Sequence, residues 1–78
     1  MERSKIQAII DKYQKRSEQG YKYGDEKCAF YERVAEQIED NIDIYENVLF
    51  ETEKDILDSV REDFAEFDEW EWLRPIFP

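Results

Sequence analysis

Residues 28–49, CAFYERVAEQIEDNIDIYENVL, decide the fold, because their apolar side chains recur at alternating intervals of three and four residues. The recurring positions are Cys28, Tyr31, Ala35, Ile38, Ile42, Tyr45 and Leu49. This spacing places the side chains along one side of an α-helix, as in a heptad repeat. Val34 and Val48 widen the apolar stripe to the breadth of a helix that packs against more than one neighbour. The pattern predicts a helix over 26–50.

A first helix is predicted on the N-terminal side of this segment. Ser4 followed three residues later by Gln7 is the pattern of a capping box, and Gly20 is a typical stop signal just beyond a helix end. We therefore expect a helix over 5–19. Asp25 is a suitable N-cap for the helix that follows the short connection.

A third helix is predicted on the C-terminal side. Thr52 and Asp55 form a second capping-box pattern, and Pro75 disfavours helical geometry at the residue before it. These signals predict a helix over 53–73. No Gly or Pro separates it from the second helix, so one continuous helix over 25–72 is the alternative.

The predicted fold class is all-α. We expect a small three-helix bundle, formed by one acidic helical domain that spans residues 1–78. The alternative is a short helix packed on the one long helix. That arrangement would have to be dimeric, since a short partner helix cannot cover both apolar stripes of the long one.

The inventory of reactive side chains argues against an enzyme. The chain has no histidine and a single cysteine, Cys28, so a Ser-His or Cys-His nucleophile pair cannot form. An intramolecular disulfide is excluded for the same reason, and Cys28 on the apolar stripe is best interpreted as a small core residue. We expect no catalytic residue, no cofactor and no metal site. Without a targeting or spanning segment, a cytoplasmic protein is expected, in the host cell if a phage encodes it.

The charge of the chain is strongly negative and uneven. Its formal net charge is −10, with six basic and three acidic residues in 1–24, but five basic and eighteen acidic residues in 25–78. Nucleic acids and anionic membranes attract basic surfaces, so neither is expected as a direct ligand. A basic protein is the natural partner of such a chain.

The acidic residues fall in two rows at helical spacing, which are the predicted partner-binding residues. The row on the second helix is Glu32, Glu36, Glu39, Asp43 and Glu46, and that on the third is Glu51, Asp55, Asp58, Glu62, Glu66 and Glu69. Like charges one turn apart cost roughly 0.2 to 0.5 kcal/mol per pair, so the rows weaken the isolated fold. The rows predict a surface that imitates nucleic-acid phosphates, unless the N-terminal basic residues Lys5, Lys12, Lys15 and Arg16 neutralise them.

Aromatic residues are the second candidate for partner binding. Phe64, Phe67 and Trp70 share the apolar side of the third helix, whereas Trp72 lies two residues from Trp70 and cannot share that side. We expect one of the two tryptophans to be exposed, and Trp72 is the predicted interface anchor.

In its length, acidity, helicity and lack of catalytic parts, the chain resembles the small inhibitors of phages and mobile elements. These include DNA-mimicking anti-CRISPR and anti-restriction proteins. The resemblance is one of general character, covers no particular residues and transfers no site. It favours an inhibitor that binds a basic nucleic-acid-binding protein. The alternatives are a regulatory or immunity-type binding module that acts through exposed aromatics, and a self-associating helix bundle, for instance a homodimer.

Overall fold

The computed structural model describes residues 1–63, which form five helices and no strand. In chain order the helices are α1 (Arg3–Ser17), α2 (Gly20–Tyr23), α3 (Asp25–Asp40), α4 (Ile42–Tyr45) and α5 (Glu53–Asp63). The three longer helices, α1, α3 and α5, contribute to one hydrophobic core. The predicted all-α bundle is confirmed, while the continuation of the third helix to residue 73 lies outside the described residues.

The core lies where apolar stripes of the three longer helices face one another. It consists of Ile6, Ile10, Tyr13, Phe30, Tyr31, Val34, Ala35, Ile38, Tyr45, Ile56, Leu57 and Val60. The most extensive of the helix contacts is that between α1 and α3. Removing a large aliphatic side chain from such a core costs roughly 2 to 5 kcal/mol, so these twelve residues define the folded state.

The predicted helix over 26–50 is interrupted, and this part of the prediction is wrong. Helix α3 ends at Asp40, and Asn41 follows with backbone angles of φ −119° and ψ 23°, outside the helical region. The Asn41 side-chain amide donates a hydrogen bond of 2.9 Å to the Gln37 carbonyl oxygen. Asn side chains compete in this way for backbone groups that a helix would use. A continuous helix over 25–72 is therefore excluded as well.

The interruption changes the burial of the end of the apolar stripe. Tyr45 on α4 is still buried, but Val48 and Leu49 are 83% and 79% exposed. The chain between α4 and α5 turns twice, with the Asn47 amide donating to the Ile44 carbonyl at 3.2 Å and the Phe50 amide donating to that of Asn47 at 3.0 Å. Two residues that the heptad pattern assigned to the core thus face solvent.

Of the predicted helix starts, only that of α5 is confirmed, while the predicted end of this helix lies outside the described residues. The Asp55 carboxylate accepts the Thr52 amide at 3.0 Å, and the Asp55 amide donates to the Thr52 hydroxyl at 3.3 Å, which is a complete capping box. Helix α1 has Glu2 as its N-cap without a side-chain bond, so the Ser4 pattern is not used. Its Gln7 side chain donates to Asp11 instead.

The connection between the first two long helices is also more helical than predicted. Helix α1 ends at Ser17, before the predicted end, and Gly20 begins the single turn of α2 rather than stopping a helix. Gly24, with φ +84° and ψ 163°, is the residue that precedes α3, and Asp25 is its first helical residue. Few residues other than glycine adopt that conformation.

Candidate protein-binding surface

The acidic row of the second predicted helix is divided at Asn41. Glu32, Glu36 and Glu39 lie on α3, whereas Asp43 lies on α4 and Glu46 directly follows it. The row therefore does not run straight over its whole length, as a continuous helix would require. Its α3 part extends over about 10 Å at 1.5 Å per residue.

Arg3 pairs with both carboxylates in the second part of this row, and its single positive charge offsets one of their two negative charges. Its guanidinium group donates to Asp43 Oδ1 and to Glu46 Oε1, each at 2.6 Å. The hydrogen bond to Glu46 is the main cause of a raised Arg3 pKa, with Asp43 adding a smaller effect. Arg3 is forty or more residues away in the chain, so helical spacing gave no signal of this contact. Asp43 and Glu46 are accordingly weaker candidates for partner binding than the sequence predicted.

The α3 part of the row stays exposed. Glu32, Glu36 and Glu39 are exposed on the side of α3 away from the buried Val34 and Ile38. The Gln14 side-chain amide donates to Glu39 at 3.4 Å, but no ion pair with a residue in 1–63 reaches any of the three carboxylates. We name these three residues the α3 acidic face.

Two carboxylates of the row on α5, Asp55 and Asp58, have partners within the protein. Asp55 accepts the amides of Glu51 and Thr52, and these two bonds lower its pKa. Asp58 pairs with Lys54 at 3.0 Å. Glu51 and Glu62 are exposed, while Glu66 and Glu69 lie outside the described residues.

One acidic residue that contacts α3 belongs to neither of the predicted rows. Asp63 accepts a hydrogen bond of 2.9 Å from the Gln37 side chain, which brings the end of α5 next to α3. Asp63 is exposed and follows Glu62 directly. Gln37 lies about 100° around the helix from Glu36, so Asp63 is on a different side of α3 and does not extend the α3 acidic face.

Two basic residues of α1 lie over the rings of core tyrosines. Lys12 forms an ion pair with Glu53 on α5 and lies 5.0 Å from the centroid of the Tyr13 ring. The Arg16 guanidinium lies 5.3 Å from the Tyr13 ring and 5.4 Å from the Tyr31 ring. Cations over aromatic faces are stabilised by the ring quadrupole. The prediction that basic residues of α1 neutralise part of the acidic charge is correct for Lys12. Its partner, Glu53, belongs to neither acidic row.

The predicted aromatic anchor cannot be placed. Trp72 and the neighbouring aromatic residues from 64 onward lie outside the described residues. Two further aromatic residues lie on α2: Tyr21 is 88% exposed, whereas Tyr23 packs edge-on against Tyr31 with ring centroids 5.3 Å apart.

The potential metal-binding side chains of residues 1–63 are dispersed over short helices. Cys28 is partly buried, and its thiol lies 3.5 Å from the Arg16 carbonyl oxygen as a weak donor. In this range His, Cys, Asp and Glu do not cluster in threes with metal-binding geometry. None of the five helices has the length and apolar content to span a bilayer.

An open depression lies beside the α4–α5 connection. Its volume is about 560 Å³, and it is lined by Met1, Glu2, Lys5, Glu46, Val48, Phe50 and Glu51. The lining combines apolar side chains with three carboxylates, the Lys5 ammonium and the N-terminal ammonium of Met1, which donates to the Tyr45 carbonyl oxygen at 3.1 Å. Its residues come from the start of the chain and from the segment that the heptad pattern had assigned to a helix.

Comparisons with known proteins give no family for this arrangement. The chain matches no protein-family model, no curated protein and no solved structure. The α3 acidic face and the exposed α4–α5 connection are the two candidate surfaces for binding a partner.

Proposed function

We propose that this protein is a small acidic inhibitor that binds the cationic surface of a nucleic-acid-binding protein, where the α3 acidic face takes the place of backbone phosphates. The proposal extends to the phage or mobile-element type of counter-defence protein, such as anti-CRISPR or anti-restriction inhibitors, which the chain resembles in general character. It concerns binding alone and requires no cofactor.

The observation that supports the proposal is that the ion pairs within residues 1–63 involve some carboxylates and not others. Arg3, Lys12 and Lys54 each pair with carboxylates, yet those pairs leave Glu32, Glu36 and Glu39 exposed. The Cβ atoms of successive residues on the face are about 5 to 6 Å apart, a spacing of the same order as that of phosphates on a strand. A cationic groove built for phosphates would meet negative charge at similar intervals, and long-range attraction would speed the encounter.

A charge-reversal pair tests the proposal. The double variant Glu36→Lys/Glu39→Lys should bind the cationic partner roughly tenfold more weakly or worse, because it replaces attraction with repulsion at the interface. Asp11→Lys/Glu18→Lys is the matched control, since it changes the net charge equally on exposed positions of the N-terminal part. The control should keep most of the affinity.

The measurement is capture of nucleic-acid-binding proteins from a bacterial lysate on the immobilised chain, followed by elution with a salt gradient or with duplex DNA. Elution by moderate salt and by DNA is expected, since both compete for the same cationic surface. Binding that resists salt and DNA, or that the two double variants weaken equally, would contradict phosphate imitation by this face.

A further inference from the structure

Two carboxylates at α4 already hold a cation within the protein. Arg3 donates through Nε to Glu46 Oε1 and through a terminal guanidinium nitrogen to Asp43 Oδ1, each at 2.6 Å. Arg3 begins α1, Asp43 lies on α4, and Glu46 directly follows that helix. We name Asp43 and Glu46 the α4 carboxylate pair. Their arrangement around one guanidinium group shows that the pair can bind an arginine side chain.

The contact lies at the surface, where ion pairs are weak. The side chain of Arg3 is 59% exposed, and those of Asp43 and Glu46 are 89% and 38% exposed. Water and salt screen a pair of such exposure, which changes an equilibrium constant by at most roughly fivefold. A cation of another molecule can therefore compete with Arg3 for the pair without disrupting the core.

The α4 carboxylate pair continues the α3 acidic face along the chain. Asp43 lies four residues beyond Glu39, so the Cα atoms of the two residues are at most roughly 14 Å apart. A cationic surface that extends past Glu39 meets the pair next. With Arg3 in place, it meets one positive charge among these two negative charges.

We propose that Arg3 makes an autoinhibitory contact: it occupies the α4 carboxylate pair in the free protein and yields the pair to a cation of the bound partner. The proposal rests on the proposed function, which supplies the cationic partner of the α3 acidic face. Displacing Arg3 costs part of the binding free energy, so this residue lowers the affinity for cationic surfaces. Only partners whose own cations reach the pair recover that cost, which makes Arg3 a determinant of specificity.

A double-mutant cycle tests the competition. The probe is a fluorescently labelled oligoarginine peptide, whose affinity is measured by fluorescence anisotropy at low ionic strength. Asp43→Asn/Glu46→Gln should weaken binding at least roughly threefold more in the Arg3→Ala background than in the unsubstituted chain, because the pair is free to bind the peptide only without Arg3. Charges that act independently would give the same factor in both backgrounds.

Lys15→Ala is the matched control for the charge of Arg3. It removes one positive charge from an exposed position of the same helix. Asp43→Asn/Glu46→Gln should weaken binding by the same factor in this background as in the unsubstituted chain. All the substituted side chains are exposed, so the core stays intact, and circular dichroism checks the fold.

Equal factors in the Arg3→Ala and Lys15→Ala backgrounds would overturn the inference. Failure of the proposed function gives a different result on the same peptide. In that case Glu36→Lys/Glu39→Lys would bind the peptide as tightly as the charge-reversed control on α1 and the residue after it. The cycle at Arg3 is read separately from that comparison, so the two failures are distinguishable.

Discussion

At the scale of single residues, Tyr13 is a buried aromatic residue that packs against two cations of its own helix. Its ring is fully buried beneath Lys12 and Arg16, and its hydroxyl group is buried without a hydrogen-bond partner in residues 1–63. Burial is the main cause of its raised pKa, and the nearby Glu53 raises that pKa further. A buried polar group without a partner keeps its full desolvation cost.

Replacing Tyr13 by Phe should therefore stabilise the protein. The substitution keeps the ring and removes the unpaired hydroxyl, so the free energy of unfolding should rise by about 1 kcal/mol in urea denaturation. Tyr45→Phe is the matched control, because Tyr45 is also buried but the Ser59 side chain interacts with its hydroxyl group. The control should lose about 0.5 to 1.5 kcal/mol. A loss of stability in Tyr13→Phe would instead show that its hydroxyl has a partner.

At the scale of helices, the boundaries depend on a few small polar residues and glycines. Asn41 ends α3 through its bond to the Gln37 carbonyl, and Gly24 separates α2 from α3 with a backbone conformation that is almost confined to glycine. Both positions redirect the chain without a proline. The orientation of α3 relative to α1, and thus of the α3 acidic face, depends on the Gly24 connection.

The two glycines of this connection should respond oppositely to alanine. Gly24→Ala should lower the free energy of unfolding by roughly 1 to 3 kcal/mol, a purely conformational cost, because a Cβ there would meet nothing within 4 Å. Gly20→Ala, in the helical turn of α2, should be neutral or stabilise by up to about 1 kcal/mol. Thermal unfolding of both variants by circular dichroism provides the measurement. Equal effects at the two sites would contradict the positive φ angle of Gly24.

At the scale of the whole molecule, the excess of carboxylates opposes folding. The net charge is −10, and the exposed ion pairs of Arg3 and Lys54 each contribute at most about 1 kcal/mol. The uncompensated negative groups repel one another in the compact state more than in the unfolded chain. Screening by salt should weaken this repulsion more than it weakens the few attractive pairs.

Added salt should thus stabilise this protein. Raising NaCl from roughly 10 mM to roughly 0.5 M shortens the screening length several-fold. We expect Tm to rise by roughly 4 °C or more, the shift that about 1 kcal/mol produces in a domain of this size. Glu36→Lys/Glu39→Lys, with less excess charge, should show a smaller rise. A Tm that falls with salt would mean that attractive ion pairs dominate the electrostatic energy.

The sequence by itself determined the helical class, the apolar sides of α1, α3 and α5, and the capping box of Thr52 and Asp55. Those properties follow from spacing and from neighbours within one turn, which a linear sequence contains. Only the tertiary structure decided that Arg3 pairs with Asp43 and Glu46 and that Val48 and Leu49 face solvent. Such contacts join residues far apart in the chain, and a local side-chain bond at Asn41 outweighed an apolar periodicity that continued past it.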